Sequence, residues 1–217
     1  MKPGSSPRTE LKRLAYKSSG EQADLYSVID DNLVAHVGVV QDGSPLVIPM
    51  TYGRSGDTLF LHGSTGSRLM RILAAEPDIC VSITELRGLK VARSTFNSGM
   101  HYRSVVIFGK ARLVSDEDKL EALNALSEGL LPGRNEEARP TTKKELAATI
   151  IVAVDLSETS VKISVNEVDD PEEDLDKGYW AGIIPFRERA GEVVPADQES
   201  NELPVPPSVQ RFIDSRR

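Results

Sequence analysis

The segment from Pro45 to Leu73 constrains the fold more than any other, because it has the pattern of two strands, a tight turn and a helix start. Its two strand-like runs, Pro45–Tyr52 and Thr58–His62, are separated by five residues rich in glycine, serine and aspartate. Such residues favour the turns that join antiparallel strands, so the segment predicts a β-hairpin. Six small or polar residues follow, and a helical pattern of apolar residues begins at Leu69.

The six residues at 63–68, GSTGSR, combine small residues, hydroxyls and one arginine at a helix start. We expect unpaired backbone N–H groups, hydroxyls and the Arg68 guanidinium to converge there, an arrangement that favours an anion such as a phosphate. The residues alone allow a second interpretation, in which Ser67 caps the helix and Arg68 is merely exposed.

Apolar runs elsewhere predict more strands, with only short helices between them. The further strands are predicted at 33–40, 79–86, 102–114, 149–156 and 161–165. The helices are predicted at 21–29, 67–75, 115–131 and 142–148. Six or seven strands without long intervening helices favour a mainly β fold, a barrel with peripheral helices, over a doubly wound sheet. Strand spacing alone is equally typical of an OB-like or a sandwich domain.

The composition argues against several classes of function. The net charge is −7 and no basic block reaches five residues, which argues against nucleic acid as a partner. The single cysteine, Cys80, cannot form an intramolecular disulfide, and no apolar run approaches the roughly 20 residues of a membrane span. We therefore expect a cytoplasmic protein that has no membrane partner.

Sequence motifs for metal or nucleotide chemistry are missing. The chain has no GxGxxG after a strand, no Walker loop, no CxxC pair and no HExxH. Its three histidines, His36, His62 and His101, lack the spacing of metal ligands, and the acidic stretch 169–176 favours a solvated loop. We predict no metal site, and the shortage of catalytic groups favours a cofactor that performs the chemistry.

Three ordered motifs indicate a family when they are taken together. VIPMTYG, LFLHGSTGSRL and HYRSVVIFGKA, with Trp180-Ala181-Gly182, resemble the pyridoxamine 5′-phosphate oxidase-like family of FMN-binding split barrels. The chain is most similar to its branch of flavin-nucleotide-binding proteins related to 5-nitroimidazole reductases. The resemblance favours an antiparallel split β-barrel and implies an FMN-binding domain at 14–187. A mobile N-terminal lead-in at 1–13 and an extended C-terminal tail at 188–217 flank it.

The resemblance also implies a flavin site between the two subunits of a homodimer. Ser67 and Arg68 match the family's phosphate-binding pair, and His62 and Gly63 match a pair at the end of the preceding strand. Further flavin contacts are implied for the first hairpin strand, for a serine-arginine pair and for a tryptophan. These residues are Val47, Ile48, Pro49, Met50, Thr51, Arg103, Ser104 and Trp180. Because proline cannot donate to a β-ladder, Pro49 predicts an edge strand or a strand facing a ligand.

The activity that the resemblance implies is that of an FMN-dependent oxidoreductase, with a nitro compound or a quinone-like molecule as acceptor. Tyr52 stands where the oxidase proper has a lysine, so pyridoxamine 5′-phosphate is not the expected substrate. Two alternatives stay open. One is a haem-binding or haem-handling protein with His62 or His101 as axial ligand, and the other is a non-catalytic flavin-nucleotide-binding module. No catalytic residue is predicted.

Overall fold

Ten strands join into one antiparallel sheet in the computed structural model, which describes residues 2–216. The strands are β1 (Ser18–Ser19), β2 (Val34–Gln41), β3 (Ser44–Ser55), β4 (Thr58–Ser64), β5 (Asp78–Val91), β6 (Gly99–Lys110), β7 (Arg112–Leu113), β8 (Thr149–Asp155), β9 (Thr159–Ser164) and β10 (Gly182–Pro185). Their order across the sheet is β1-β9-β6-β5-β2-β3-β4-β8-β7, and β10 pairs with β5.

Seven helices lie around this sheet in the described part of the chain. They are α1 (Gln22–Asp30), α2 (Arg68–Leu73), α3 (Lys119–Leu130), α4 (Arg134–Glu137), α5 (Lys143–Ala147), α6 (Gln198–Glu202) and α7 (Pro207–Ser215). Two short 3₁₀ helices span Ala15–Lys17 and Glu172–Asp174.

The predicted fold, mainly antiparallel β with peripheral helices, is confirmed and is consistent with a split barrel. The seven predicted strands correspond to β2, β3, β4, β5, β6, β8 and β9. The strand count was too low, because β1, β7 and β10 span only 2, 2 and 4 residues. Strands of that length contain too few positions to establish an alternation of apolar and polar residues.

The sheet bends at β3, because the two halves of that strand have different partners. Residues 44–51 pair with β2, whereas Tyr52–Ser55 pair with β4. The first half of β3 is therefore hydrogen bonded on one side only. This open edge is the feature of the fold that bears most on a ligand site.

The inner face of the bent sheet encloses the main core. α1 and α2 each contribute three fully or nearly fully buried side chains to it, Leu25, Val28, Ile29, Leu69, Met70 and Leu73. Tyr52 fixes the end of α1, because its hydroxyl donates to the carbonyl oxygens of Ile29 at 2.6 Å and Asn32 at 2.8 Å. Burial raises the pKa of Tyr52, so this residue acts as a structural donor.

α3 covers part of the outer face of the sheet, where it packs against β3, β4 and β8. A Cβ atom at Gly53 would lie 2.5 Å from the Cα of Leu126, and one at Gly129 would lie 2.8 Å from the Cα of Gly53. No side chain fits at that separation, so two glycines allow the helix to lie directly on the strand. Leu126 of α3 and Ile151 of β8 are buried between the helix and the sheet in a second, smaller core.

The N-terminal segment lies against the barrel. The N–H of Gly4 donates to the carbonyl oxygen of Thr159 at 2.7 Å, and the Arg8 guanidinium lies 4.5 Å from the centroid of the Phe108 ring. The mobility expected of residues 1–13 stays a prediction, and Met1 lies outside the described residues.

The C-terminal segment is not extended throughout, unlike the tail predicted at 188–217, because it contains α6 and α7. The N–H of Ser208 donates to Oε1 of Glu137 at 2.9 Å, which fixes the start of α7 beside α4. Arg216 donates to Oε2 of Glu188 at 2.9 Å. The proline at the first position of α7 concealed this helix, since prolines usually indicate a break. Arg217 lies outside the described residues.

Candidate functional site

His62 lies on the outer face of β4, beneath α3. Leu59 and Leu61 are fully buried in the main core, so the alternating positions Phe60 and His62 project from the other face of the strand. A cavity of about 290 Å³ opens beside His62. We call it the His62 cavity. Its wall includes Leu123, Leu126, Leu130, Asn135, Arg139 and Thr141.

The His62 ring has an unsatisfied nitrogen. Nδ1 is buried and has no hydrogen-bond partner among the described residues. Burial lowers the pKa of His62, so the ring is neutral at physiological pH and keeps a lone pair. Because buried polar atoms in proteins are nearly always paired, the histidine and its cavity together are a candidate ligand site.

The other two histidines are placed differently. His101 is 7% exposed, and its Nε2 lies 2.6 Å from the carbonyl oxygen of Asn166, so that ring nitrogen already has a partner. His36 is exposed on β2, opposite Pro49 of β3. Of the two histidines named as alternative axial ligands, His62 therefore has an unpaired buried ring nitrogen and lines a cavity, whereas Nε2 of His101 already has a partner.

A second region of interest is the outer face of β2, β3 and β5, which the structure leaves uncovered among residues 2–216. The register places His36 between Pro49 and Ser82, and Gly38 between Val47 and Cys80. We call this surface the bare face. Its outward residues are Val34, His36, Gly38, Val40, Val47, Pro49, Thr51, Cys80 and Ser82. The side chains of Val40 and Val47 are 67% and 59% exposed.

The five flavin-lining candidates on β3 are divided between two faces. Val47, Pro49 and Thr51 project onto the bare face, whereas Met50 packs against the main core and Ile48 shares its side of the strand. The prediction that Pro49 lies on an edge is confirmed, because residues 44–51 pair only with β2. Contact with a flavin stays a prediction for all five.

The turn after β4 does not present the unpaired backbone N–H groups that its sequence led us to expect. The N–H of Thr65 donates to the carbonyl oxygen of Ala148 at 2.9 Å. The N–H groups of Gly66 and Ser67 donate to Oγ and the carbonyl oxygen of Ser64, at 3.1 and 2.9 Å. The sequence concealed this because one acceptor lies more than eighty positions away in the chain.

Ser67 and Arg68 contribute side chains at this turn. Oγ of Ser67 accepts from the N–H of Met70 at 3.4 Å and so caps α2. This agrees with the second interpretation of the sequence, in which Ser67 is a helix cap. Arg68 is exposed, and its Nε donates to Oε1 of Gln41 at 2.8 Å. Gly63 serves packing, since a Cβ there would lie 2.7 Å from Cγ of Met70. An anion at this turn would depend on Arg68.

Arg103 and Ser104 project to opposite faces of β6, as neighbours on a strand must. Nε of Arg103 donates to Oε2 of Glu85 at 2.6 Å, and its Nη2 donates to Oδ2 of Asp31 at 2.7 Å. The guanidinium therefore ties β6 to β5 and to the end of α1. Ser104 faces outward, on the side of the sheet that includes the bare face.

Trp180 is 68% exposed and does not fill the core. Its ring lies over Gly182, where a Cβ would stand 2.8 Å from ring carbons Cη2 and Cζ2. A large aromatic side chain in such a position has most of its surface available to a ligand or to another chain.

α3 forms a second cavity with the sheet, of about 430 Å³, near its N-terminal end. We call it the Phe60 cavity. Its lining includes Phe60, Arg112, Asp118 and Glu121. Neither cavity was predicted from the sequence, because each depends on the close contact of α3 with β3 at Gly53. Their one sequence signal was the alternation that places Phe60 and His62 on the same side of β4.

Two features are missing from residues 2–216. No group of three or more histidine, cysteine, aspartate or glutamate side chains there is placed to hold a metal ion. No helix in that part of the chain has the length and apolar character needed to cross a membrane.

Comparison with protein families gives a match over residues 21–163 to the family model described as pyridoxamine 5′-phosphate oxidase. No curated protein sequence matches the chain. Among solved structures, the FAD and heme binding protein from Mycobacterium smegmatis is 39% identical, with a TM-score of 0.88 over 91% of this chain and 97% of that one.

The flavocytochrome Anf3 from Azotobacter vinelandii is 34% identical, with a TM-score of 0.88 over 95% of this chain and 96% of that one. A 5-nitroimidazole antibiotic resistance protein from Bacteroides thetaiotaomicron is 20% identical, with a TM-score of 0.57 over 67% of this chain and 86% of that one, and indicates a shared fold. The chain belongs to the pyridoxamine 5′-phosphate oxidase family, which confirms the resemblance.

Proposed function

We propose that this chain is a redox protein that binds a flavin and a haem on different faces of its sheet. Two similar structures support the proposal, one named as an FAD and heme binding protein and the other as a flavocytochrome. The observation that carries it is His62, whose Nδ1 is buried without a partner at the wall of a cavity.

The His62 cavity fits a haem in its chemistry. A neutral imidazole is a common axial ligand, and burial keeps the pKa of His62 low, so the ring is available for ligation. Leu123, Leu126 and Leu130 of α3 provide an apolar wall that would exclude water from a macrocycle. When bound, the haem would supply one-electron chemistry, and the chain would hold and shield it.

Titration of the purified protein with haem tests this assignment. We expect a Soret shift typical of histidine ligation in the wild type, and its loss in His62→Ala. His101→Ala is the matched control and should keep the shift, because the His101 ring nitrogen already pairs with Asn166. A shift that survives in His62→Ala, or that disappears only in His101→Ala, would contradict the assignment.

The bare face fits a flavin along β3. The open edge of residues 44–51 offers backbone donors and acceptors, which suit the alternating polar edge of a flavin ring. Arg68 and nearby hydroxyls would hold the phosphate through side chains, since most of the turn's N–H groups are already bonded. When bound, a flavin would supply hydride and single-electron transfer.

Mass spectrometry of the molecules released on denaturation identifies the flavin. The sequence resemblance implies FMN, whereas FAD is named for the Mycobacterium smegmatis protein. Arg68→Ala should weaken flavin binding roughly tenfold through loss of a charged contact, while Arg71→Ala on the same helix should not. Unchanged flavin affinity in Arg68→Ala would contradict the proposed phosphate contact.

We also propose that two copies of the chain pair through the bare face. Val40 and Val47 are 67% and 59% exposed, and Leu86, on the same side of β5 as Ser82, is 56% exposed, so a partner would cover an apolar surface. Pairing of this kind would bring the exposed Trp180 of the partner subunit towards the flavin, as the family resemblance implies. Sedimentation equilibrium measures the mass directly.

An FMN-dependent oxidoreductase, with a nitro compound or quinone-like acceptor, is the activity that the resemblance favours. Reduction of the bound flavin by a nicotinamide nucleotide, followed by reoxidation with such an acceptor, would support it. A flavin that stays oxidised with both NADH and NADPH would instead favour the non-catalytic flavin-binding module.

A further inference from the structure

The His62 cavity has an unusual balance of charge for this protein. Arg139 is the one side chain with a permanent charge among the residues that line it, and the lining contains no carboxylate. The whole chain carries a net charge of −7, and the Phe60 cavity is lined by Asp118 and Glu121 as well as Arg112. The His62 cavity is therefore the one of the two suited to an anionic ligand.

Arg139 is held by an exposed ion pair. Its Nη1 and Nη2 donate to Oε2 and Oε1 of Glu145 at 3.0 and 2.5 Å, and Nη1 also donates to the carbonyl oxygen of Pro140 at 3.1 Å. The side chains of Arg139 and Glu145 are 68% and 45% exposed, so solvent screens the attraction between them despite the bidentate geometry. A ligand carboxylate at the mouth of the cavity therefore competes with one solvent-exposed partner.

Glu145 retains other hydrogen bonds if Arg139 leaves it. Oε2 of Glu145 accepts from the N–H and the Oγ1 hydroxyl of Thr142 at 2.8 and 2.9 Å, and the N–H of Glu145 donates back to that hydroxyl. This capping box fixes the start of α5 without help from Arg139. The guanidinium can thus be exchanged between two anions without a change of fold.

We propose that Arg139 is the anion anchor of the His62 cavity and binds a carboxylate of a planar apolar ligand whose body lies against α3. A porphyrin with free carboxylates has this chemistry, so the inference deepens the proposed haem site and rests on it. The cavity, at about 290 Å³, encloses only part of such a molecule. The carboxylate edge then lies at the mouth, beside Arg139.

Metal-free protoporphyrin IX separates this anchor from ligation of iron, because it has the carboxylates and no metal. Its dimethyl ester has the same ring and no anionic charge. Porphyrin fluorescence would measure the affinity of both probes for the full-length wild type, Arg139→Gln, Glu145→Gln and the control Arg112→Gln, which removes the same charge from the Phe60 cavity.

We expect Arg139→Gln to weaken binding of the diacid roughly tenfold and to leave the ester unchanged. Glu145→Gln should strengthen binding of the diacid about threefold, because it removes the carboxylate that competes for Arg139 while glutamine can still accept the hydrogen bonds of the capping box. Arg112→Gln should match the wild type. Circular dichroism confirms that each variant is folded.

If Arg139→Gln weakens binding of the diacid and the ester equally, or weakens binding of neither, the role of Arg139 as anion anchor is refuted. If haem gives a His62-dependent Soret shift in that case, the proposed function stands and the anchor alone fails. If the diacid binds through Arg139 while haem gives no such shift, the anchor stands and iron ligation fails. If the wild type binds neither porphyrin and haem gives no His62-dependent shift, both fail.

Discussion

The outer face of the sheet has two regions that differ in their cover: α3 of the same chain packs on one, and the other is left exposed by the described residues. Over β4 and β8, α3 buries Leu126 and Ile151 and leaves two defined cavities. Over β2, β3 and β5, the described residues leave the bare face open, with Val40 and Val47 mostly exposed. Both surfaces belong to the same sheet, so the difference arises from what lies on top of them.

The cause of the difference is a contact between two glycines. Gly53 and Gly129 let α3 approach β3 to a separation that no side chain allows, so the helix covers this part of the sheet closely and half-buries His62. The open edge of β3 remains available instead for backbone recognition. The protein thus offers one surface with two preformed cavities and one surface that needs a ligand or a second copy.

Leu126→Ala should have the largest effect on stability of the changes considered for the two surfaces. Leu126 lies on the side of α3 that faces the sheet and is 1% exposed, so its truncation should cost about 3 kcal/mol in the free energy of unfolding. Leu120→Ala, in the same helix at 44% exposure, should cost well under half of that. Equal losses in urea unfolding would show that α3 is not seated on the sheet as described.

Gly53→Ala should cost somewhat less, about 2 kcal/mol, because the helix can shift to relieve part of the clash with the Leu126 backbone. The same shift should widen the His62 cavity and weaken haem binding. Gly99→Ala is the matched control, since a Cβ there meets nothing within 4 Å. Urea unfolding and haem titration measure the two consequences, and a neutral Gly53→Ala would refute the close contact.

The pH dependence of the free energy of unfolding should show that the His62 ring is buried in its neutral form. Burial holds the pKa of His62 below its ordinary value of 6.5, so the unfolded chain binds the proton more tightly than the folded one. The free energy of unfolding should therefore fall as pH drops below 6.5, until the lowered pKa is passed. His62→Gln should flatten this part of the profile, and an unchanged slope would contradict the buried neutral ring.

Val40→Lys should have the smallest effect on the stability of the single chain, within about 0.5 kcal/mol, because the side chain is 67% exposed. If the bare face joins two copies, the same substitution should shift the sedimentation equilibrium towards the monomer. A stable dimer in Val40→Lys would place the interface elsewhere.

The sequence predicted most of the fold and only part of the candidate site. Seven strands followed from short apolar runs, the hairpin at β3 and β4 followed from its turn residues, and the edge position of Pro49 followed from its missing donor. The hydrogen bonding of the turn after β4 could not be predicted, because the N–H of Thr65 donates to the carbonyl oxygen of Ala148, which only the tertiary structure brings close. Hydrogen bonds between distant segments leave no local pattern.

His62 is an instructive case. The resemblance placed it beside the flavin phosphate and the alternative made it a haem ligand, and the sequence had no means of separating the two. Their separation depends on α3, which was predicted as a helix at 115–131 but whose position was not predicted, because that position depends on Gly53 and Gly129 meeting across the fold. A paired glycine contact of this kind has no periodic signature.

Amide hydrogen exchange tests the central claim, that the two surfaces hold two different cofactors, most directly. Exchange is compared for the protein alone, with flavin and with haem. The account predicts that flavin slows exchange along residues 44–51 and that haem slows it along 119–141. A single footprint shared by both cofactors, or a haem footprint on β3, would contradict it.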